Sequence, residues 1–209
     1  MPLVIIRSAK RAVAFVEHSP VLDLAAGALC AATDRVIPEG PIRKTLQGAQ
    51  LGHPLHPMLT DIPIGMLTSA SVLDLAGPRT GTAARRFVGL GLLSAVPTIA
   101  AGLADWSALT DKEAKRVGVV HASANLVGLA CYLSSYRARR RGSWVKGVAM
   151  SVLGMTSMTV GGYLGGHLAF PEVAPDPTTS TDVTAPSRTE PSSASFDLRQ
   201  PLAVTMGDR

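Results

Sequence analysis

Long apolar stretches separated by short charged segments dominate the middle of the chain. Each is about twenty residues or more, and a helix of twenty residues rises by the roughly 30 Å thickness of the hydrocarbon core of a bilayer. The pattern therefore predicts an all-α protein, an integral membrane four-helix bundle. The four spans are expected at about residues 57–77, 87–104, 117–136 and 144–170.

The first apolar stretch opens with a double histidine–proline motif, LGHPLHP. A residue before proline avoids the α region, so His53 and His56 are expected in an extended lead-in, with Pro57 as the first helical residue. Asp61 follows about one and a half turns into the helix. An alternative is that the motif is only a rigid turn that sets the angle of the first span.

The segments on either side of the four spans have different patterns. Residues 3–17 have the pattern of a basic amphipathic helix and residues 21–37 that of a second, mostly apolar segment. Periodicity does not decide whether they lie on the membrane surface or pack against the bundle. After residue 170 the chain is rich in proline, serine and threonine, so a disordered tail is expected. Three regions are predicted: amphipathic or interfacial helices in 1–50, the four-span domain in 51–170 and the tail in 171–209.

Composition favours a membrane protein. Only 17% of the 209 residues are charged and 46% are hydrophobic, which is too few charges for an ordinary soluble domain. The net charge of +5 comes from basic residues that flank apolar stretches. This distribution fits contact with membrane lipid and not nucleic-acid binding. Cys30 and Cys131 lie far apart, so we expect no disulfide framework or CxxC motif, and the N-terminal apolar run is too short for a signal-peptide core.

The connecting segments differ in charge between the two ends of the predicted bundle. The segments after the first and third spans, GPRTGTAARR and RARRRG, are basic and are predicted to be loops. Cytoplasmic loops carry an excess of lysine and arginine, so these two loops are favoured as cytoplasmic. Both termini and the polar connector DWSALTDKEAKR would then lie on the other side.

Four of the five histidines are expected at one end of the bundle. They are His53 and His56 before the first span, His121 just over a turn into the third span, and His167 in the last turn of the fourth. Ionisable residues at membrane depth usually face the bundle interior, and imidazoles from different helices can ligate haem iron or a transition metal. The four histidines are therefore candidate cofactor ligands, with His56 and His121 preferred.

Two further residues are candidates for orienting these imidazoles. Asn125 lies one turn after His121 on the same helix face, and Asp61 lies near the same depth on the first span. Each could hold an imidazole through its second nitrogen. The alternative is that the histidines are interfacial or capping residues, and that Asp61 only satisfies backbone groups near Pro63. No nucleophile elbow, phosphate-binding loop or HExxH motif is present, so the chain is not expected to be an enzyme on its own.

The two halves of the predicted bundle also show a faint internal similarity. Each half begins with histidine near its first helix, in LGHPLHP and VGVVHASAN, and ends at the same face in GLADW and GGHLAF. A pseudo-twofold arrangement would bring the starts of the two halves together. The small-residue spacings Gly161xxxGly165 and Gly162xxxGly166 predict close helix packing in the last span.

The motif LGHPLHPMLTDIPIGMLTSASVLD, with GLADW, HASAN and GGYLGGHL further along, resembles a family of bacterial predicted membrane proteins known as domain of unknown function 2231. The resemblance covers roughly residues 45–170. Some members of that family carry a Rieske-type iron–sulfur domain after the fourth span. The resemblance therefore implies a bacterial inner membrane location and redox chemistry near that membrane. The tail of this chain has neither cysteine nor histidine, so a Rieske cluster would have to be on a separate partner.

Two functional hypotheses follow. In the first, the bundle binds haem b or a transition metal through its histidines and exchanges electrons with a quinone or a soluble partner such as a Rieske-type ferredoxin. In the second, the protein is a non-catalytic scaffold or small-solute membrane protein whose histidines stabilise helix ends.

Overall fold

The computed structural model describes residues 2–170, with side chains from residue 7 onward. The described part is helical and contains no strand, which confirms the predicted fold class. The predicted tail, residues 171–209, lies outside the described residues. The helices are α1 (Pro2–Glu17), α2 (Leu22–Val36), α3 (Pro41–Leu46), α4 (Leu55–Leu75), α5 (Gly81–Ser107), α6 (Lys112–Arg140) and α7 (Trp144–Ala169).

Helices α4 to α7 are each long and apolar enough to cross a membrane, as the sequence predicts. A 3₁₀ turn, Pro78–Thr80, precedes α5 directly. Helices α1 and α2 are bent by 71° where they meet, and they would add a fifth crossing only if they acted as one broken span.

The helices extend beyond the apolar stretches into the predicted loops. The TAARR sequence forms the first turns of α5, and Arg137, Arg139 and Arg140 form the last turn of α6. Both predicted basic loops are therefore largely helical, because alanine and arginine are good helix formers and charge alone does not end a helix. The breaks fall instead at Gly77 and Gly142, whose φ angles of 88° and 78° suit glycine.

The four long helices form two hairpins, α4–α5 and α6–α7, that make equivalent contacts. Leu67 of α4 packs closely on Gly91 of α5, so that a Cβ added to Gly91 would lie 2.8 Å from the Leu67 side chain. Tyr132 of α6 packs in the same way on Gly154 of α7, again at 2.8 Å. Leu67 and Tyr132 are 65 residues apart, as are the paired residues Asp74 and Arg139. The repeated spacing supports the internal similarity seen in the sequence.

Two pairs of equivalent residues also touch each other across the bundle. His56 and His121, again 65 residues apart, meet at one end, and Asp74 and Arg139 meet at the other. Equivalent points in a twofold arrangement can touch only near the axis. The pseudo-twofold axis therefore runs along the bundle, from the His56–His121 pair at one end to the Asp74–Arg139 pair at the other. The two hairpins are parallel repeats about this axis.

The interaction between Asp74 and Arg139 is a buried, two-pronged ion pair. The Arg139 guanidinium donates to both carboxylate oxygens of Asp74, at 2.7 and 2.6 Å. Its Nε donates to Ser135 Oγ at 3.1 Å, and Ser135 also contacts Ser151 at 2.9 Å. Only 2% of the Arg139 side chain and 4% of the Asp74 side chain is exposed. The pair therefore fixes the end of the bundle opposite the histidines.

One face of each N-terminal helix packs against the bundle. Val13 of α1 contacts Val117 and Leu164, and Ala26 of α2 contacts Trp106. Packing against the bundle thus explains why the inward faces of α1 and α2 are apolar. Their outward faces combine exposed apolar side chains with charged ones, as would suit contact with a membrane surface. The most exposed apolar side chains there are Phe15, Val21, Leu24 and Val36.

A surface ion pair holds α2 to α6. Arg116 donates to both carboxylate oxygens of Asp23, at 2.7 and 2.9 Å, and to the Glu17 carbonyl at 2.6 Å. The hydrogen bond from Arg116 lowers the pKa of Asp23 below its ordinary value of 3.8. Folding lowers the pKa of Asp23, so the ion pair stabilises the docking of α2 fully at pH values above 3.8. This stabilisation is lost as the pH falls through the pKa that Asp23 has in the folded protein.

We therefore expect α2 to loosen from the bundle below about pH 4. Trp106, buried against Ala26, would then become exposed, so its fluorescence emission should shift to the red in an acid titration. In the Asp23→Asn variant the emission should be red-shifted already at neutral pH and should change little with acid. The same acid transition in both proteins would show that another group controls the docking.

Candidate functional site

His56 lies in the first turn of α4. The helix begins at Leu55 after the extended Pro54, with φ −55° and ψ 135°. The expectation that His56 is extended and Pro57 is the first helical residue is therefore wrong. A proline in the first turn costs no hydrogen bond, because the first four N–H groups of a helix have no intrahelical acceptor. The helix can thus start before the second His–Pro pair.

The imidazole of His56 is held by α5. Its Nδ1 lies 2.9 Å from the Thr98 carbonyl oxygen. Because a carbonyl only accepts, Nδ1 carries a proton, so in the neutral form of the ring the free electron pair is on Nε2. Thr98 makes a second link, since its hydroxyl lies 3.2 Å from the Leu59 carbonyl oxygen and 3.0 Å from that of Ser94 in its own helix. The Leu59 carbonyl lost its helical donor because Pro63 has no N–H.

The imidazole of His121 is held by α7 in the same way. Its Nδ1 donates to the Gly161 carbonyl at 2.7 Å, so in the neutral form of this ring the free electron pair is again on Nε2. Asn125 donates to the His121 carbonyl at 2.9 Å, and its amide nitrogen lies 3.3 and 3.4 Å from the two ring nitrogens. An atom almost equidistant from both does not lie along the electron pair of either. The predicted proximity of Asn125 to His121 is therefore observed.

Glycines shape both histidine positions. A Cβ at Gly102 would lie 2.8 Å from Cε1 of His56, and one at Gly165 would lie 2.8 Å from Cε1 of His121. Each of these glycines lies one helical turn after the residue whose carbonyl accepts the imidazole hydrogen bond, Thr98 or Gly161. Gly161 and Gly165 therefore serve packing against α6, whereas Gly162 has open space around it.

The two imidazoles meet between the hairpins. Their ring centroids are 6.3 Å apart and their planes are nearly perpendicular, at 85°. Both rings are partly buried. We call these two residues the histidine pair.

Three of the predicted site residues, His53, His167 and Asp61, lie away from the histidine pair in the structure. His53 is exposed, and its carbonyl packs against Gly48 in a tight turn. His167 instead bonds to Glu17 of α1, with 2.9 Å between Nε2 and Oε1. Asp61 is exposed on α4. The acidic residue that does interact with the ring and backbone N–H of His56 is Asp105 of α5, in the GLADW sequence.

Across residues 2–170, no group of three or more histidine, cysteine, aspartate or glutamate side chains is arranged to hold a metal ion. Within that range, a metal at the histidine pair would therefore have the two imidazoles as its only ligands of these four residue types, and its remaining positions would need other donors.

Four apolar spans in two equivalent hairpins, with an interior pair of imidazoles at one end, define a multi-span α-helical membrane protein. Residues 52–174 match the model of a family described as predicted membrane protein (DUF2231), and the chain belongs to this family. The family match confirms the resemblance. No curated protein and no solved structure matches the chain.

Proposed function

We propose that this membrane protein binds a redox-active transition metal through Nε2 of His56 and Nε2 of His121. The observation that supports the proposal most strongly is the matched orientation of the two rings. Each gives its Nδ1–H to a backbone carbonyl of the neighbouring helix, at 2.9 and 2.7 Å. Metal-binding histidines usually donate their other nitrogen in this way, because the bond fixes the tautomer and makes the free nitrogen a better ligand.

The ring separation is compatible with shared ligation. Two imidazoles that share one metal, each with a metal–nitrogen bond of about 2 Å, would have ring centroids no more than about 6 Å apart. The observed 6.3 Å is close to this value. A bound metal would supply one-electron chemistry, while the chain holds its two ligands and fixes their tautomers.

The structure favours a metal ion over haem b as the occupant. Side chains already occupy the space beside the glycines nearest the rings. His56 lies against Gly102, Asn125 against Gly161 and His121 against Gly165. The space beside these glycines is therefore not open to a flat macrocycle. Haem b remains an outcome that the spectrum described below would reveal.

We extend the proposal to electron exchange with a quinone or with a soluble partner such as a Rieske-type ferredoxin. The histidine pair lies at one end of the bundle, where a partner could approach. Placement in a bacterial inner membrane, with the basic end in the cytoplasm, would direct the pair to the opposite side. We do not propose that the chain is an enzyme on its own.

A structural role for the histidines is the second candidate, and one specific observation favours it. Each Nδ1 hydrogen bond joins the two helices of one hairpin, α4 to α5 and α6 to α7. The histidines would then act only as cross-links in a scaffold or small-solute membrane protein.

The experiment that separates the two candidates is metal analysis and absorption spectroscopy of the detergent-purified protein, both oxidised and reduced. The metal-binding proposal expects stoichiometric metal in the parent protein and almost none in the His56→Ala/His121→Ala variant. His18→Ala is the control, because His18 is exposed on the N-terminal side and lies outside the predicted cluster. Metal-free parent protein after expression with metal supply, together with a double variant that is merely less stable, would favour the scaffold instead.

A further inference from the structure

The basic end of the bundle, opposite the histidine pair, contains a small polar cavity. Its volume is about 170 Å³, several times the roughly 30 Å³ that one water occupies in the liquid. It lies where the first turn of α5, the last turn of α6 and the first turn of α7 meet. The side chains that matter in its wall are Thr82, Arg85, Arg139 and Trp144.

Arg85 supplies an uncompensated positive charge to this cavity. It has no ion-pair or hydrogen-bond partner among residues 2–170. Arg139 is also in the wall, but the carboxylate of Asp74 balances its charge. The cavity therefore carries a net positive charge from Arg85, with the paired Arg139 guanidinium beside it.

Trp144 and Thr82 complete the wall. The indole ring of Trp144 lines the cavity, while its Nε1 is buried and has no acceptor within the described residues. Thr82 adds a hydroxyl to the same wall.

The backbone also favours an anion at this position. Helix α7 begins at Trp144, and its N-cap residue, Ser143, makes no side-chain capping hydrogen bond. Its first N–H groups and the positive end of its dipole therefore face this end of the bundle without a capping side chain. The C-terminus of α6 is close by, but its last turn is basic and offsets the negative end of that helix dipole.

We propose that this cavity is a phosphate-binding site, filled either by the phosphodiester of an anionic phospholipid headgroup or by free phosphate. Arginine, a hydroxyl and uncapped backbone N–H groups are donors that bind phosphate oxygens. The cavity is formed at the ends of membrane-spanning helices, where lipid headgroups lie. Basic pockets between spans are known binding positions for anionic lipid headgroups. The basic residues around this end are Arg79, Arg86, Arg137, Arg140, Arg141 and Lys146.

Binding can be tested on the full-length protein in zwitterionic detergent micelles. Short-chain phosphatidylglycerol is titrated in one arm, phosphatidylcholine in a second and inorganic phosphate in a third. Arg85→Gln should weaken phosphatidylglycerol or phosphate binding by roughly tenfold, because a charged hydrogen-bonding partner is lost. Arg86→Gln is the matched control, since it removes the same charge from the adjacent, exposed residue outside the cavity wall.

The arms also identify the source of the phosphate. Arg85-dependent binding of phosphatidylglycerol with weak competition by inorganic phosphate supports a lipid headgroup, and strong binding of inorganic phosphate supports free phosphate. Equal losses in the Arg85 and Arg86 variants would overturn the proposal, as would phosphatidylcholine binding as well as phosphatidylglycerol.

Discussion

Replacing Arg139 with alanine is expected to destabilise the bundle by about 3–5 kcal/mol, because it leaves the buried Asp74 carboxylate without a partner. The pair is two-pronged, and almost none of either side chain is exposed. It joins α4 to α6 at the pseudo-twofold axis, so its loss should weaken the contact between the hairpins. The free energy of unfolding in detergent, measured by titration with sodium dodecyl sulfate, would report the change.

Two further variants show whether the unpaired charge is the cause. Arg140→Ala removes an exposed arginine from the next position and should change stability by less than about 0.5 kcal/mol. The double variant Asp74→Leu/Arg139→Met removes both charges and keeps apolar volume, so it should recover most of the stability. Ser135 and Ser151 would still bond to each other. If the double variant were as unstable as Arg139→Ala, lost packing and not the charge would be responsible.

The sequence indicated the membrane spans but concealed this ion pair. Arg139 belongs to a run of arginines, RARRR, in which no residue stands out, and the whole run is predicted to be a loop. Asp74 did carry a signal, because a charged residue in an apolar span needs a partner. The partner could have been found from the repeat, since Asp74 follows His56 at the same spacing as Arg139 follows His121.

Part of the candidate site was predictable because helix geometry fixes it. Asn125 follows His121 by one helical turn, so their proximity follows from spacing alone. The acceptors of the two imidazoles were not predictable, because they are backbone carbonyls of other helices, at Thr98 and Gly161. A backbone acceptor leaves no mark in the residue type. The pairing of His167 with Glu17 likewise depends on how α1 docks, which periodicity did not decide.

Small residues determine where the two helices of a hairpin cross. At the α6–α7 crossing, a Cβ on Gly154 would lie 2.8 Å from Cδ2 of Tyr132 and 3.0 Å from the Gly128 carbonyl oxygen. The Tyr132 ring is fully buried and the carbonyl is part of the backbone, so neither can move without separating the helices. Gly154→Ala is therefore expected to destabilise the protein, although alanine is the better helix former. The expected loss is about 1–3 kcal/mol from overpacking, and Gly154→Leu should lose more.

Gly162→Ala is the matched control on the same helix. Nothing lies within 4 Å of the position of a Cβ there, so the substitution meets no steric conflict. Alanine should then stabilise α7 by about 0.5–1 kcal/mol through its lower conformational entropy in the unfolded chain. The same detergent unfolding titration would measure both changes in the free energy of unfolding. Changes of opposite sign at the two positions would show that the close approach of α6 and α7 is what requires glycine at position 154. Equal effects would mean that helix propensity alone decides both positions and that α6 and α7 are less closely packed than their contacts indicate.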